Sequence, residues 1–191
     1  MSISGIVLAA GTSSRFGSTK QLLRVGGKPL AQHAVDAAVE AGLDEVIVVL
    51  GHDAEAVEAA LRLPPRARVV RNPRYAEGQS TSLAAGLRAA GAEGEGAIVL
   101  LADQPGITAE HVRALVGAFL ARRARIVRLS FRGAPGPALL SREIWAEASH
   151  LTGDTGARAL VAEHPDWVEE VVLDEDAPTD VDTPSDAEGL A

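Results

Sequence analysis

The chain contains no cysteine, which excludes disulfides, thiolate metal sites and a thiol nucleophile. Aromatic residues make up only 3% of the 191 positions. A core must therefore be built from Val, Leu, Ile and Ala, which suits helices packed on a buried sheet better than a β-sandwich. No apolar run approaches the roughly 18 residues of a membrane span. No basic region precedes the short apolar stretch at the N-terminus, so it does not read as a signal peptide. Lysine is scarce: of the 18 basic residues only Lys20 and Lys28 are lysine. The expectation is a soluble, cytoplasmic protein with no membrane partner.

Apolar residues are 47% of the chain and the length corresponds to one domain, taken as residues 1–191. Such a length buries roughly 70% of the unfolded surface. The net charge of −8 is unevenly placed. From Glu163 onward there are 11 acids and no Lys or Arg, whereas the preceding residues hold 18 bases against 15 acids. A near-neutral body with an acidic end is not a nucleic-acid-binding surface.

Apolar runs alternate with helical patterns. Residues 4–9, 45–50 and 97–101 read as buried strands, 68–71, 125–130 and 168–173 as further strands. Helices are expected at 29–41, 53–61, 80–89, from a Thr108 cap onward, at 141–148 and at 155–163. The segment Gly133 to Pro137 reads as a turn or tight loop. Strands separated by helices imply βαβ units and a single doubly wound, Rossmann-like, mostly parallel α/β sheet. Ligands in such sheets bind at the carboxyl ends of the strands, which directs attention to the residues after Ala9, Leu50 and Leu101.

After Ala9 comes Ala10-Gly11-Thr12-Ser13-Ser14-Arg15-Phe16-Gly17, with Lys20 nine residues beyond Gly11. Small residues let backbone N–H groups approach a polyphosphate. Arg15 and Lys20 supply cationic charge for oxygens around a transferred phosphorus. The loop has neither the G-x-G-x-x-G of a dinucleotide site nor the G-x-x-x-x-G-K-[ST] of a Walker loop. Asp103 follows a wholly aliphatic strand by two residues, at the edge where a ligand is expected.

The stretch LAAGTSSRFGSTKQLL resembles the signature of the nucleotidyltransferase superfamily. Four further blocks follow in the order that superfamily shows: Asn72-Pro73 with Gly78 to Leu83, then Leu101 to Pro105, Gly153 to Arg158, and Asp180 to Pro184. Within the superfamily the chain most resembles the molybdenum cofactor cytidylyltransferase group. This resemblance implies a nucleotide-diphospho-sugar-transferase type of fold and transfer of a nucleotidyl group from a nucleoside triphosphate to a phosphorylated acceptor. It implies Mg²⁺ held by Asp103 and Asp182, since Mg²⁺ prefers carboxylate oxygen and keeps several waters. Leu8, Ala9, Ala10 and Gly11 would lie against the nucleotide. Gly78, Ser80 and Ser82, with Gln79, would approach its base or ribose. Asp154 and Arg158 would lie by the acceptor, although their spacing also allows an i, i+4 pair on one helix. The L-A-A-G form is typical of pyrimidine-nucleotide users and points to CTP. The expected acceptor is molybdopterin or its molybdenum form, and a molybdoenzyme or its chaperone is the expected protein partner.

Two departures from the group stand out. Gln79 and Thr81 replace the methionine and serine common in relatives. Gly136-Pro137-Ala138 lacks the histidine of the G-H-P that relatives commonly place beside the pterin. A sugar phosphate or other small phosphorylated acceptor therefore stays open, as does a non-catalytic nucleotide-binding role in molybdoenzyme maturation. The five histidines show no ligand spacing and read as structural.

Overall fold

The first apolar run forms β1 (Ile3–Ala9), buried along its whole length. In the computed structural model, which describes residues 2–12, 19–91, 93–181, 183 and 186–187, it is followed by β2 (Arg24–Val25), β3 (Lys28–Pro29), α1 (Leu30–Glu40), β4 (Glu45–Leu50), α2 (Ala54–Ala60), β5 (Ala67–Arg71), α3 (Gln79–Ala89), β6 (Gly96–Leu101), α4 (Ala109–Arg122), β7 (Ile126–Phe131), β8 (Ala134–Ser141), α5 (Trp145–Ala148), α6 (Ala157–Glu163) and β9 (Val168–Leu173). Seven strands make one sheet in the order β5-β4-β1-β6-β8-β7-β9. Its strands are parallel except β8, which runs antiparallel between β6 and β7.

Side chains alternate between the two faces of each strand, and both faces are covered. Val7, Val48, Leu50, Ile98 and Leu100 face a layer that includes Val35 of α1 and Leu115 of α4. Ile6, Leu8, Ile47, Val49 and Val99 face Leu83 of α3, Trp145 of α5 and Leu160 of α6. Burying each such aliphatic side chain stabilises the fold by about 1.5–3 kcal/mol. Gly86 lets α3 lie close on the sheet, because a Cβ there would overlap the Ile6 side chain. A capping box starts α4: His111 N–H donates to Thr108 Oγ1, and Thr108 N–H donates to His111 Nδ1.

β1 leads outward to β4 and β5, and the chain then returns to the other side of β1 with β6. The switch point lies between β1 and β6, and Leu8 is in register with Leu101. Their carboxyl ends thus open one crevice.

The segment from Gly133 to Pro137 differs from its expected form. Only Arg132 and Gly133 turn, both with positive φ (44° and 91°), as a two-residue hairpin loop between β7 and β8 requires. Ala134 onward is strand. Two prolines fit there because the register shifts between Arg128 and Ser130, so β8 bulges opposite Leu129. Because β8 is antiparallel, its first residues lie beside the carboxyl end of β6. The expected helix at 141–148 is a 3₁₀ turn (Arg142–Ile144) running into α5. The β2–β3 hairpin, turned by Gly26 and Gly27 with positive φ, had no counterpart in the sequence reading.

Candidate active site

β1 ends at Ala9, and the chain continues through Ala10, Gly11 and Thr12 along the crevice wall. Gln21, buried, lies just beyond Lys20, and its amide Nε2 donates to the carbonyls of Ala9 (3.2 Å) and Gly11 (2.9 Å). That side chain pins the start of the loop and turns backbone toward the crevice. Lys20 is largely buried, at 14% side-chain exposure, and its ammonium donates to Asp103 Oδ2 at 3.0 Å. Two loops from adjacent strands thus meet in an ion pair at the switch point.

Asp103 is held by its backbone on both sides. Ala102 N–H donates to Leu8 O, extending the β1–β6 pairing, and Val181 N–H donates to Asp103 O at 2.9 Å. Its Oδ1 is sealed from solvent and has no partner among the described residues. A buried carboxylate oxygen without a donor is costly, and it is the hard oxygen ligand a divalent cation takes. Among the described residues there is no cluster of three or more metal-ligating side chains.

The acidic end is stitched to this point rather than left in solvent. Asp180 Oδ1 accepts from Gln104 Nε2 at 2.9 Å. Val181 is fully buried against Val25 and Leu30. The Asp180 to Pro184 block therefore begins beside Asp103. Asp182 and Arg15 lie outside the described residues.

The opposite wall is the N-terminus of α3. Gly78 has φ 116°, and a Cβ there would overlap the Gly153 backbone. Ser80 is fully buried, its hydroxyl donating to Gly153 O at 2.8 Å. Ser82 Oγ and Thr81 Oγ1 both accept from the Asn72 amide. Asp154 Oδ1 accepts from Gln79 N–H at 3.4 Å, placing a carboxylate at the positive end of the helix. Asp154 precedes α6 rather than sharing a helix with Arg158, and no ion pair joins the two among the described residues.

These walls enclose a cleft of about 520 Å³ lined by Leu8, Ala10, Gly11, Lys20, Gly78, Gln79, Ser82, Asp103 and Asp154 among others. Ala9 and Ser80, expected against the nucleotide, are buried and do not line this cleft. A second cavity of about 450 Å³ adjoins it, sharing Gln79, Leu101 and Asp154, and reaches Arg158, Arg128, Asp180 and the Gly136-Pro137-Ala138 stretch of β8. Gln21, Gln104 and Arg128 were not assigned roles from sequence. The only signal for the first two was their place inside the Lys20 and Asp103 blocks; Arg128 gave none. At the cleft mouth, the Arg74 guanidinium hydrogen-bonds Glu77 and holds its carboxyl below the ordinary value.

A family model described as the MobA-like NTP transferase domain matches residues 5–168. The chain belongs to this family. It is 33% identical over 193 residues to nicotine blue oxidoreductase of Paenarthrobacter nicotinovorans, covering 95% of this chain and 92% of that protein. It is 34% identical over 167 residues to the purine catabolism protein PucB of Bacillus subtilis strain 168, covering 82% and 79%. The crystal structure of Rv0371c from Mycobacterium tuberculosis H37Rv is similar with a TM-score of 0.87 at 32% identity, covering 100% of this chain and 97% of that one. The same protein is also known as a manganese complex, similar with a TM-score of 0.84. Membership assigns the activity class: nucleotidyl transfer, with a nucleoside triphosphate and a phosphorylated acceptor as substrates. A divalent cation is in keeping with the manganese complex of that relative. Among the described residues no helix is long and apolar enough to cross a membrane.

Proposed function

We propose that the chain transfers CMP from CTP to the phosphate of a molybdopterin-type acceptor and releases pyrophosphate. The observation that carries this reading is the Lys20–Asp103 pair at the β1–β6 switch point, in the wall of a cleft that backbone from Ala10 to Thr12 also lines. The triphosphate lies along that backbone, with Lys20 and Arg15 supplying positive charge to its oxygens. Asp103 and Asp182 would hold Mg²⁺, which would neutralise charge on the triphosphate and ease departure of pyrophosphate. The base and ribose lie toward Gly78, Gln79 and Ser82. The acceptor enters through the second cavity past Asp154 and Arg158. A phosphate oxygen of the acceptor forms a bond to the α-phosphorus, the bond from that phosphorus to the bridging β-phosphate oxygen breaks, and pyrophosphate leaves with the electron pair. Positioning and charge stabilisation suffice, without a covalent enzyme intermediate.

CTP is favoured by the Leu8-Ala9-Ala10-Gly11 form. A second acceptor reading is kept by one observation: Gly136-Pro137-Ala138, where relatives commonly carry a histidine, is part of the second cavity's wall. A sugar phosphate or another small phosphorylated molecule fits that change. The oxidoreductase name of one relative prompts a hydride-transfer control, though the loop after β1 lacks the dinucleotide fingerprint.

The test is pyrophosphate release from each of the four ribonucleoside triphosphates with Mg²⁺, with and without molybdopterin. Release that needs both CTP and molybdopterin supports the proposal. Release only with another phosphorylated acceptor favours the second reading. CTP binding without release under any acceptor, or NAD(P)H oxidation instead, contradicts transfer.

A further inference from the structure

Two arginines, Arg128 and Arg158, line the second cavity. Arg128 stands on β7, and only one of its guanidinium nitrogens is used: Nη2 donates to Glu170 of β9. Nε is sealed from solvent with no partner, and Nη1 has none among the described residues. Arg158, exposed on α6, likewise has no ion pair or hydrogen bond among the described residues. Two acids also line the cavity: Asp154, which accepts from Gln79 N–H, and Asp180, which accepts from Gln104 Nε2. The rest of the wall is largely apolar, from Val99, Leu101, Pro137, Ala138, Ala159 and Val161. The Arg128 guanidinium is ion-paired with Glu170 through Nη2 alone and keeps further donors to spare, and a planar donor fork matches carboxylate or phosphate oxygens.

We infer that Arg128 is a specificity-determining residue which, together with Arg158, holds an anionic group of the acceptor other than the phosphate that attacks CTP. Arg128 lines the second cavity and not the cleft with Lys20 and Asp103, so the group it binds is remote from the reacting phosphorus. The acceptor class is thus a phosphorylated molecule with a second negative group and an apolar body between. This rests on the transfer reading in taking the second cavity as the acceptor's.

The pair 3-phosphoglycerate and glycerol 3-phosphate, which differ by one carboxylate, tests it by calorimetry on the full chain loaded with Mg²⁺ and α,β-methylene-CTP. Wild type binds 3-phosphoglycerate at least about tenfold tighter, a gap expected of one charge-assisted bidentate contact. R128Q closes that gap and R128K restores part of it. E170Q, which removes the ion pair across β7 and β9 but keeps the guanidinium, retains the gap. Thermal midpoints of all three variants separate misfolding from lost recognition. Equal binding of the two probes by wild type, or no binding of either, overturns the inference. So does loss of the gap in E170Q to the same degree as in R128Q, which would make Arg128 a prop of the sheet edge. Calorimetry reads the preference with or without turnover, so failure of transfer and failure of this inference are told apart.

Discussion

Lys20 and Asp103 lie 83 positions apart in sequence and 3.0 Å apart in the fold. Each is expected to act through charge on the triphosphate, so Lys20→Met and Asp103→Asn should each lower kcat by about 10²–10³-fold, the usual loss for one preorganised electrostatic contact. The double variant should lose much less than the product, because the two groups work on one centre; additive losses in steady-state kinetics would show they act separately. Both residues were legible in the sequence as chemistry-bearing groups in motif positions. Gln21 was not, since a buried glutamine that anchors two carbonyls has no pattern of its own. Arg128 was hidden in a strand where it reads as one more arginine. At the cleft mouth the Arg74 hydrogen bond lowers the Glu77 pKa. The stability this pair adds is present above the ordinary carboxyl value and is lost as pH falls through the lowered one. Carboxyl NMR titration of Arg74→Gln should find Glu77 titrating at higher pH than in wild type.

At the scale of elements, the clasp between the start of α3 and residues 153–156 joins the proposed nucleotide wall to the proposed acceptor wall. Ser80 bonds Gly153 through both N–H and hydroxyl, and Gly78 admits the contact only because it has no side chain. Gly78→Ala should therefore destabilise the fold by about 1–3 kcal/mol, combining left-handed strain with overlap, and raise KM for CTP and acceptor together. Urea melts and steady-state kinetics check both. The helices and parallel strands were legible because their apolar patterns run unbroken. β8 was not: its first half carries Pro135, Gly136 and Pro137, the vocabulary of a turn, and a bulge accommodates what a regular ladder would reject. Its reversed direction, which carries those residues to the end of β6, is a tertiary outcome that no local pattern encodes.

For the molecule as a whole, two covered sheet faces follow from an aliphatic composition with almost no aromatics. Part of the acidic end is paired rather than free in solvent. Glu169 and Glu170 pair with Arg122 and Arg128, and Asp174 and Asp176 pair with Arg132. Exposed pairs of this kind add little to stability, so their role is less to hold the fold than to bring an acidic strand alongside arginines. Val181 then anchors the end of the chain beneath the site. The arrangement makes one claim above the others, that the cleft between β1 and β6 moves the α-phosphate of a nucleotide. The most direct measurement follows the label from [α-³²P]CTP and, separately, [γ-³²P]CTP in the presence of Mg²⁺ and molybdopterin. Nucleotidyl transfer puts α-label in the acceptor and γ-label in pyrophosphate, both abolished by Asp103→Ala. γ-Label in orthophosphate, with no α-label on any acceptor, would contradict it.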